Sequence, residues 1–269
     1  MNDYIKAKEI PTIYEIGKSI ENTKKGFEES FEIGTFYNRQ TQDEAHLEQI
    51  LHSLKIRDGL KILDLGTGTG YLAFPIAKRY PKTEIIGLDI VQQAMDKNRE
   101  RAVTEGLKNI QFMSYNGLIF PFADEAFDMV ITRYALHHFP AIINTFEEIN
   151  RVLKPNGMFF LADPTPNADD TEGFVDAYMQ MKKDGHIKFY TKEEWKGTGK
   201  TTGFRFADSF ETKIRFPRKK QTALGFEDIL NTFDKQVIKG YGLEIIDDEI
   251  WITEKVNNIL FQKGEFERS

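Results

Sequence analysis

Short hydrophobic runs alternate with amphipathic segments between residues 61 and 163. Segments 71–80 and 91–105 have the apolar spacing of helices. The runs have the length of strands and lie at 61–65, 84–89, 109–113, 127–132 and 158–162. Continuous apolar strands separated by helices are typical of a parallel sheet covered on both faces. Because crossover connections are right-handed, the pattern predicts an open, doubly wound α/β sheet.

The flanking segments have different patterns. Residues 1–58 are amphipathic, end in a predicted helix at 43–54, and are interpreted as an N-terminal helical lid. Residues 59–269 then form the main domain, with cap insertions at about 164–203 and 217–247. Thr191 and Glu194 predict a capping box. The other elements predicted in this part are a helix at 171–184, strands at 204–216 and 250–260 that complete a seven-stranded, mostly parallel sheet, and an inserted helix at 221–233.

Composition and charge narrow the function classes. The 269-residue chain has a net charge of −6, which argues against nucleic acid as a partner. It has no cysteine, so disulfides and thiolate chemistry are excluded. No hydrophobic run approaches the ~20 residues that span a bilayer, and the N-terminus lacks the apolar region of a signal peptide. A cytoplasmic protein without a membrane span is expected. The basic cluster of Arg215, Arg218, Lys219 and Lys220 is interpreted as a solvated loop, with the rim of a substrate mouth as the alternative.

A glycine-rich loop follows the first predicted strand. Gly66, Gly68 and Gly70 alternate with Thr67 and Thr69, and Asp64 lies two residues ahead. Glycines let the backbone turn sharply and approach a ligand. A dinucleotide-binding fingerprint requires glycine at the sixth position of this loop, where Tyr71 stands. The loop therefore predicts a nucleoside-binding site that differs from the usual nicotinamide site.

Asp89 ends the second predicted strand. A carboxylate at this place can accept hydrogen bonds from both hydroxyls of a ribose, in the crevice beyond the strand ends. Its alternative role is to cap the helix that begins near Val91. The upstream glycine loop favours ribose binding.

The order acid-x-Gly-x-Gly-x-Gly resembles the first motif of class I S-adenosylmethionine-dependent methyltransferases. Segments 112–117, 127–130, 133–139 and 151–157 follow at that family's spacing, and the match covers about residues 45–163. Within the family, the set most resembles the ubiquinone/menaquinone-biosynthesis (type 11) group. The resemblance implies a Rossmann-like methyltransferase fold, S-adenosylmethionine as cofactor with S-adenosylhomocysteine as product, a small-molecule acceptor and no metal.

The resemblance also implies the residues that contact the cofactor. Asn116 stands where the family has an acid that hydrogen-bonds the adenine amino group, and its alternative role is an Asn-Gly turn. The implied contacts are Asp64, Gly66, Thr67, Gly68, Gly70, Asp89, Ile90, Asn116, Gly117 and Arg133, with Tyr37 of the N-terminal segment as a further candidate.

His137 and His138 are the candidate catalytic residues. They follow the fourth predicted strand, in a Leu-His-His-Phe segment that many small-molecule methyltransferases share. A neutral imidazole there could take a proton from the acceptor. The alternative is that one or both histidines are structural, capping the helix ending near Arg151 and holding the loop. Asp163 at the end of the fifth strand is interpreted as a loop acid, with a position facing the acceptor as the alternative.

Two other functions remain open from the sequence. A non-catalytic S-adenosylmethionine-binding regulatory protein would keep the same cofactor motifs. A nicotinamide-dependent oxidoreductase would use a similar sheet but lacks the sixth-position glycine. An RNA methyltransferase is disfavoured by the charge and by the absence of an Asn-Pro-Pro-Tyr-type motif.

Overall fold

The fold is described from a computed structural model, in which residues 11–32, 43–220 and 223–264 are described. Its centre is one mixed sheet. The strands are Lys61–Leu65 (β1), Glu84–Asp89 (β2), Ile110–Ser114 (β3), Phe127–Arg133 (β4), Leu153–Thr165 (β5), Phe204–Lys219 (β6), Glu244–Ile246 (β7) and Glu249–Lys263 (β8).

The strand order is β3-β2-β1-β4-β5-β8-β6. The first five strands of this path are parallel, and β8 runs antiparallel between β5 and β6. The doubly wound fold with seven strands along its main path is therefore confirmed. An eighth strand, β7, was missed because it has three residues and joins β8 through Asp247 and Asp248. Both turn residues have positive φ, as a tight two-residue hairpin requires.

Helices cover both faces of the sheet. None of those in the described ranges is long and apolar enough to cross a membrane. The helices are Ile13–Glu32 (α1), Glu44–Leu54 (α2), Ala73–Arg79 (α3), Gln92–Thr104 (α4), Ile142–Val152 (α5), Phe174–Gln180 (α6), Lys192–Thr201 (α7), Phe226–Thr232 (α8) and Lys235–Gly240 (α9). The predicted capping box at the start of α7 is confirmed.

Two helix predictions were wrong in extent. The helix predicted at 171–184 is the shorter α6. Gly173 has φ +82°, and the Asp170 carboxylate accepts hydrogen bonds from the backbone N–H groups of residues 173–175. The helix predicted at 221–233 is the shorter α8, and a second helix, α9, follows it beyond the predicted range. Asp234 caps the second of them, and residues 221 and 222 lie outside the described part of the chain.

The solvated-loop interpretation of the basic cluster was also wrong. Arg215, Arg218 and Lys219 belong to β6. Arg215 Nη2 lies 2.7 Å from Glu244 Oε2, and Arg218 Nη1 donates to the Tyr178 carbonyl at 2.7 Å. The sequence did not show that these side chains are paired, because their partners Glu244 and Tyr178 are distant in sequence.

The hydrophobic core has three parts. One face of the main sheet packs against α2, α3 and α4, and the other against α5 and α7. The third part lies between the cap helices α6, α8 and α9 and one end of β8, where Ile250 and Ile252 are buried. The other end of β8 contributes Ile259 and Phe261 to the main core. The same long strand therefore supports both the main domain and the cap.

Helix α1 packs tightly on the loop between α6 and α7. A Cβ atom at Gly26 would overlap the backbone carbonyl of Lys183, and one at Gly185 would overlap the Thr23 hydroxyl. These two glycines allow the backbone of α1 to approach the loop closely. The rest of the predicted lid includes Tyr37, which lies outside the described residues.

Candidate active site

A cleft of about 600 Å³, including its open mouth, lies beyond the carboxyl ends of β1, β2, β3 and β4. This is the edge at which doubly wound sheets bind their ligands. Helix α1 forms one wall. The described lining residues are Ile20, Thr23, Phe27, Gly66, Asp89, Ile90, Tyr115, Gly117, Tyr134, Ala135, His138, Phe139 and Pro140.

The glycine loop forms the floor of the cleft. Gly66 has φ +66°, and a Cβ atom there would overlap the Ala135 side chain. Below the loop, the buried Asp64 accepts a hydrogen bond from Thr67 Oγ1 at 2.7 Å. Burial raises the pKa of Asp64 to about 7. Gly66 therefore lines the cleft, whereas Asp64 and Thr67 hold the loop in shape.

Asp89 lies at the centre of the cleft wall. Its Oδ2 accepts a hydrogen bond from Gly68 N at 2.9 Å, and its Oδ1 accepts one from Val91 N at 3.0 Å. Each carboxylate oxygen has a second lone pair, so Asp89 can still accept two ligand hydroxyls. Burial raises the pKa of Asp89. The side chain thus braces the turn before α4, and Val91 is the N-cap residue of that helix.

The next wall follows β2 and β3. Ile90, Tyr115 and Gly117 line the cleft, and a Cβ atom at Gly117 would lie 2.8 Å from Ile20 Cγ2 of α1. Asn116 is exposed, and its Oδ1 accepts hydrogen bonds from Leu118 N and Ile119 N, both at 3.0 Å. Asn116 therefore forms a local turn, which is the alternative role that the sequence left open.

Arg133 is held by two aromatic rings. Its guanidinium carbon lies 4.0 Å from the ring centre of Tyr71 and 3.8 Å from that of Tyr134. Arg133 Nη2 lies 3.4 Å from His46 Nδ1 on α2. Of these residues Tyr134 lines the cleft, and its φ of +54° is rare for a bulky side chain.

His138 faces the cleft, and its ring meets Phe27 of α1 edge-on at 5.0 Å. Its Nδ1 is buried without a hydrogen-bond partner. The backbone of Gly185 hydrogen-bonds the ring, so the ring proton is assigned to Nε2 and Nδ1 has a free lone pair. Burial and the nearby His137 lower the pKa of His138 to about 3. The imidazole is therefore neutral.

Unlike His138, His137 is not among the residues that line the cleft. Its side chain pairs with Asp163. His137 Nδ1 lies 2.9 Å from Asp163 Oδ1. Burial lowers the pKa of His137 and raises that of Asp163 to about 8, so the pair holds one proton without net charge. The loop-acid interpretation of Asp163 was wrong, because the residue is buried within β5.

The helix-capping alternative for the histidines was also wrong. Both residues lie in a short 3₁₀ helix, Leu136–His138, ahead of α5. Helix α5 ends at Val152, directly before β5, so the histidines lie at its opposite end.

Sequence reasoning missed several lining residues. Ile20 and Thr23 belong to α1, and with Phe27 they repeat at three and four residues on one helix face. That spacing was a usable signal for one wall of the cleft. Tyr115 and Tyr134 gave no signal, because their buried hydroxyls show only in three dimensions. Within the described ranges, no group of three His, Asp or Glu side chains is placed to hold a metal ion.

The chain is similar to known methyltransferases. A family model described as a methyltransferase domain matches residues 56–204. The uncharacterized methyltransferase YcgJ of Bacillus subtilis (strain 168) is 29% identical over 136 residues, which are 50% of this chain and 53% of that protein. The demethylmenaquinone methyltransferase of Staphylococcus carnosus (strain TM300) is 28% identical over 179 residues, or 65% of this chain and 73% of that protein.

Solved structures show the same fold. The crystal structure of Bacillus subtilis YcgJ superposes with a TM-score of 0.70 at 22% identity, over 83% of this chain and 100% of that one. Phosphoethanolamine N-methyltransferase 2 of Haemonchus contortus, solved with S-adenosylhomocysteine, superposes with a TM-score of 0.59 at 19% identity. The superposition covers 82% of this chain and 53% of that one. The family model spans more than half of the chain. The chain therefore belongs to the methyltransferase domain family.

Proposed function

We propose that the protein transfers the methyl group of S-adenosylmethionine to a small-molecule acceptor. Asp89 carries the proposal, because it lines the cleft beyond the strand ends and its carboxylate oxygens can accept hydrogen bonds from a ligand. A vicinal diol such as that of ribose presents the matching pair of donors. Phosphoethanolamine N-methyltransferase 2 of Haemonchus contortus, which has a similar fold and was solved with S-adenosylhomocysteine, supports the same type of cofactor.

The remaining cleft residues fit such a cofactor. Ile90 and Tyr115 offer apolar surface next to Asp89 for a base, and the glycine loop leaves room for the methionine part.

The chain's own residues position the reaction. S-adenosylmethionine supplies, when bound, an electrophilic methyl group. His138 Nδ1 accepts a hydrogen bond from the acceptor's O–H or N–H group. His137, which is paired with Asp163, packs against the His138 ring and supports its position. Phe27 and Thr23 of α1 close the cleft against water. Alignment and water exclusion then account for most of the rate enhancement.

The test is calorimetric titration with S-adenosylmethionine, S-adenosylhomocysteine and NAD. We expect both adenosyl compounds to bind and NAD not to bind. Asp89→Ala should weaken binding by about 10- to 1000-fold, since two charge-assisted hydrogen bonds are lost. The matched control is Asp96→Ala, which removes an exposed carboxylate from α4.

Asp89 also braces the loop, so folding must be checked separately. Asp89→Asn keeps one carbonyl oxygen and should bind the cofactor with intermediate affinity. Binding that is equal in the wild type and Asp89→Ala would refute the ribose role. NAD binding in place of the adenosyl compounds would refute the proposed function.

A further inference from the structure

His186 lies in the loop between α6 and α7 and is not among the described residues that line the cleft. Its side chain is fully buried, and its Nε2 lies 2.8 Å from Asp176 Oδ1 of α6. The same carboxylate oxygen accepts a hydrogen bond from Phe189 N at 2.8 Å. Hydrogen bonds to a carboxylate are stronger than those between neutral groups. Asp176 therefore anchors the loop to α6 through the His186 side chain and through the backbone.

This loop contacts both histidines at the end of β4. The backbone carbonyl of Gly185 accepts a hydrogen bond from the His138 ring. Ile187 N donates to the His137 carbonyl at 2.9 Å. Gly185 and Ile187 are the immediate chain neighbours of His186. The position of His186 therefore determines where both of these backbone groups lie.

The three imidazoles pack together as one group. The ring centre of His137 lies 4.1 Å from that of His138 and 5.4 Å from that of His186. The rings of His138 and His186 meet edge-on at 6.2 Å. His137 is paired with Asp163, as His186 is with Asp176, whereas His138 is bonded to a backbone carbonyl. The proton on His138 is thus controlled by the loop.

Gly185 is confined on its other side by α1. It has φ +79°, and a Cβ atom there would lie 2.0 Å from Thr23 Oγ1. The residue is therefore held between α1 and the anchored side chain of His186. Its carbonyl cannot turn away from His138 unless one of these two contacts is lost.

The direction of this hydrogen bond determines what His138 can do in the cleft. A neutral imidazole has one nitrogen that donates and one that accepts, and the partner of the first nitrogen sets the role of the second. A carbonyl oxygen can only accept, so Gly185 selects the tautomer with the proton on His138 Nε2. His138 Nδ1, which is buried without a hydrogen-bond partner, then keeps its lone pair.

We propose that His186 is a positioning residue that fixes His138 in one tautomer. Its bond to Asp176 holds the loop so that the Gly185 carbonyl stays on His138 Nε2. The inference rests on the proposed function, in which His138 Nδ1 accepts a hydrogen bond from the methyl acceptor. Because Nδ1 of this tautomer cannot donate, the acceptor must present an O–H or N–H group. A thioether or a tertiary amine lacks the matching donor.

The test is NMR of the full chain labelled with nitrogen-15, near neutral pH. The chemical shifts of the two ring nitrogens show which of them carries the proton. The chain has five histidines, so the His138 signals can be assigned by their loss in His138→Gln. We expect His138 of the wild type to be protonated at Nε2 only.

Substitutions of His186 then test its role. His186→Phe keeps a ring but removes the donor to Asp176, so both nitrogen signals of His138 should shift towards the average of the two tautomers. His186→Gln retains an N–H donor and should restore the single tautomer. The matched control is His52→Phe, the same replacement at an exposed position of α2, which should leave the His138 signals unchanged.

The same spectra separate positioning from simple stabilisation. If His186 only stabilises the loop, His186→Phe should lower the urea midpoint and leave the His138 tautomer as in the wild type, which would overturn the inference. Wild-type His138 with its proton on Nδ1, or divided between the two nitrogens, would overturn it without any variant. Should His186→Phe not fold, Asp176→Asn keeps an acceptor for Phe189 N and weakens the bond to His186. It should shift the His138 signals in the same direction, and unchanged signals would count against the proposal.

These outcomes are separate from a failure of the proposed function. A protein that binds S-adenosylhomocysteine but has an unfixed His138 tautomer refutes only the role of His186. A protein that binds no adenosyl compound refutes the methyltransferase proposal itself, whatever the tautomer.

Discussion

At the scale of single residues, His138 shows how burial determines chemistry. Its ring is enclosed by Phe27, His137 and the backbone of Gly185, and its pKa is lowered to about 3. Charging this imidazole inside the cleft is unfavourable, so near neutral pH it acts as a hydrogen-bond acceptor rather than a cation. His137 is likewise neutral but faces Asp163, which makes it a positioning residue for its neighbour.

This burial predicts an acid-sensitive fold. In the unfolded chain His138 titrates near 6.5, so between about pH 6.5 and 3 the unfolded state binds more protons than the folded one. Stability from His138 is therefore complete above pH 6.5 and is lost as the pH falls, by up to about 1.4 kcal/mol per pH unit. His138→Gln should reduce the difference in unfolding free energy between pH 6.5 and pH 5, measured in urea.

The control for this prediction is His52→Gln, which removes an exposed histidine from α2. It should leave the pH dependence as in the wild type. An equal pH dependence in His138→Gln would show that His138 is charged or accessible in the folded protein.

At the scale of elements, α1 forms one wall of the cleft. It is held by side-chain packing and by the close approach of its backbone at Gly26 and Gly185. Its face of Ile20, Thr23 and Phe27 completes the cleft. The close contacts explain why glycine stands in the middle of a helix, where it weakens the helix itself.

Two glycines of α1 give a matched pair of substitutions. Alanine at either position improves helix propensity by up to about 1 kcal/mol. At Gly17 no atom of the described residues lies within 4 Å of the added Cβ atom, so Gly17→Ala should stabilise the protein. At Gly26 the Cβ atom would overlap the Lys183 carbonyl, so Gly26→Ala should displace α1. We expect faster amide hydrogen exchange in α1 and weaker S-adenosylmethionine binding for Gly26→Ala alone.

A stabilised Gly26→Ala with unchanged exchange would mean that α1 does not pack on the loop as described. Equal effects of the two substitutions would point to helix propensity as the only cause.

The regular elements were predictable because their signals are local. The buried strands β1 to β5 and the capping box at Thr191 depend on short-range hydrophobic pattern and hydrogen bonding. The pairing of β5 with β8, which places Asp163 beside Asn257, joins residues almost a hundred positions apart. Asp89 could be proposed from the sequence because it ends a strand with a clear local pattern. Glu254, Tyr134 and Thr23 could not, because their surroundings depend on contacts between distant parts of the chain.

At the scale of the whole molecule, three buried carboxyls dominate the response to alkaline pH. Burial raises the pKa of Asp64 to about 7 and those of Asp163 and Glu254 to about 8. In the unfolded chain these acids ionise near pH 4, so between about pH 4 and 8 the folded state holds more protons. Their contribution to stability is complete below pH 4 and is lost as the pH rises.

Above pH 6.5 the histidine effect is saturated and the acid effect remains. The unfolding free energy should therefore fall between pH 6.5 and pH 8, by about 1.4 kcal/mol per pH unit for each carboxyl that is fully shifted. Urea unfolding at pH 6.5, 7.25 and 8 measures this. The double variant Asp64→Asn/Glu254→Gln should show a shallower decline, and a rise in stability over this range would contradict the assigned burial effects.

The long strands beneath the cap have a mechanical consequence. Strands β6 and β8 stay paired from Phe204 with Lys263 to Lys219 with Glu249, and β5 stays paired with β8 as far as Thr165. Because the cap is built on continuous paired strands, it cannot rotate outward without breaking the backbone hydrogen bonds between them. The wall formed by α1 is attached differently, by packing on the loop between α6 and α7 at Gly26 and Gly185. We therefore expect any opening of the cleft to occur at α1 rather than at the cap.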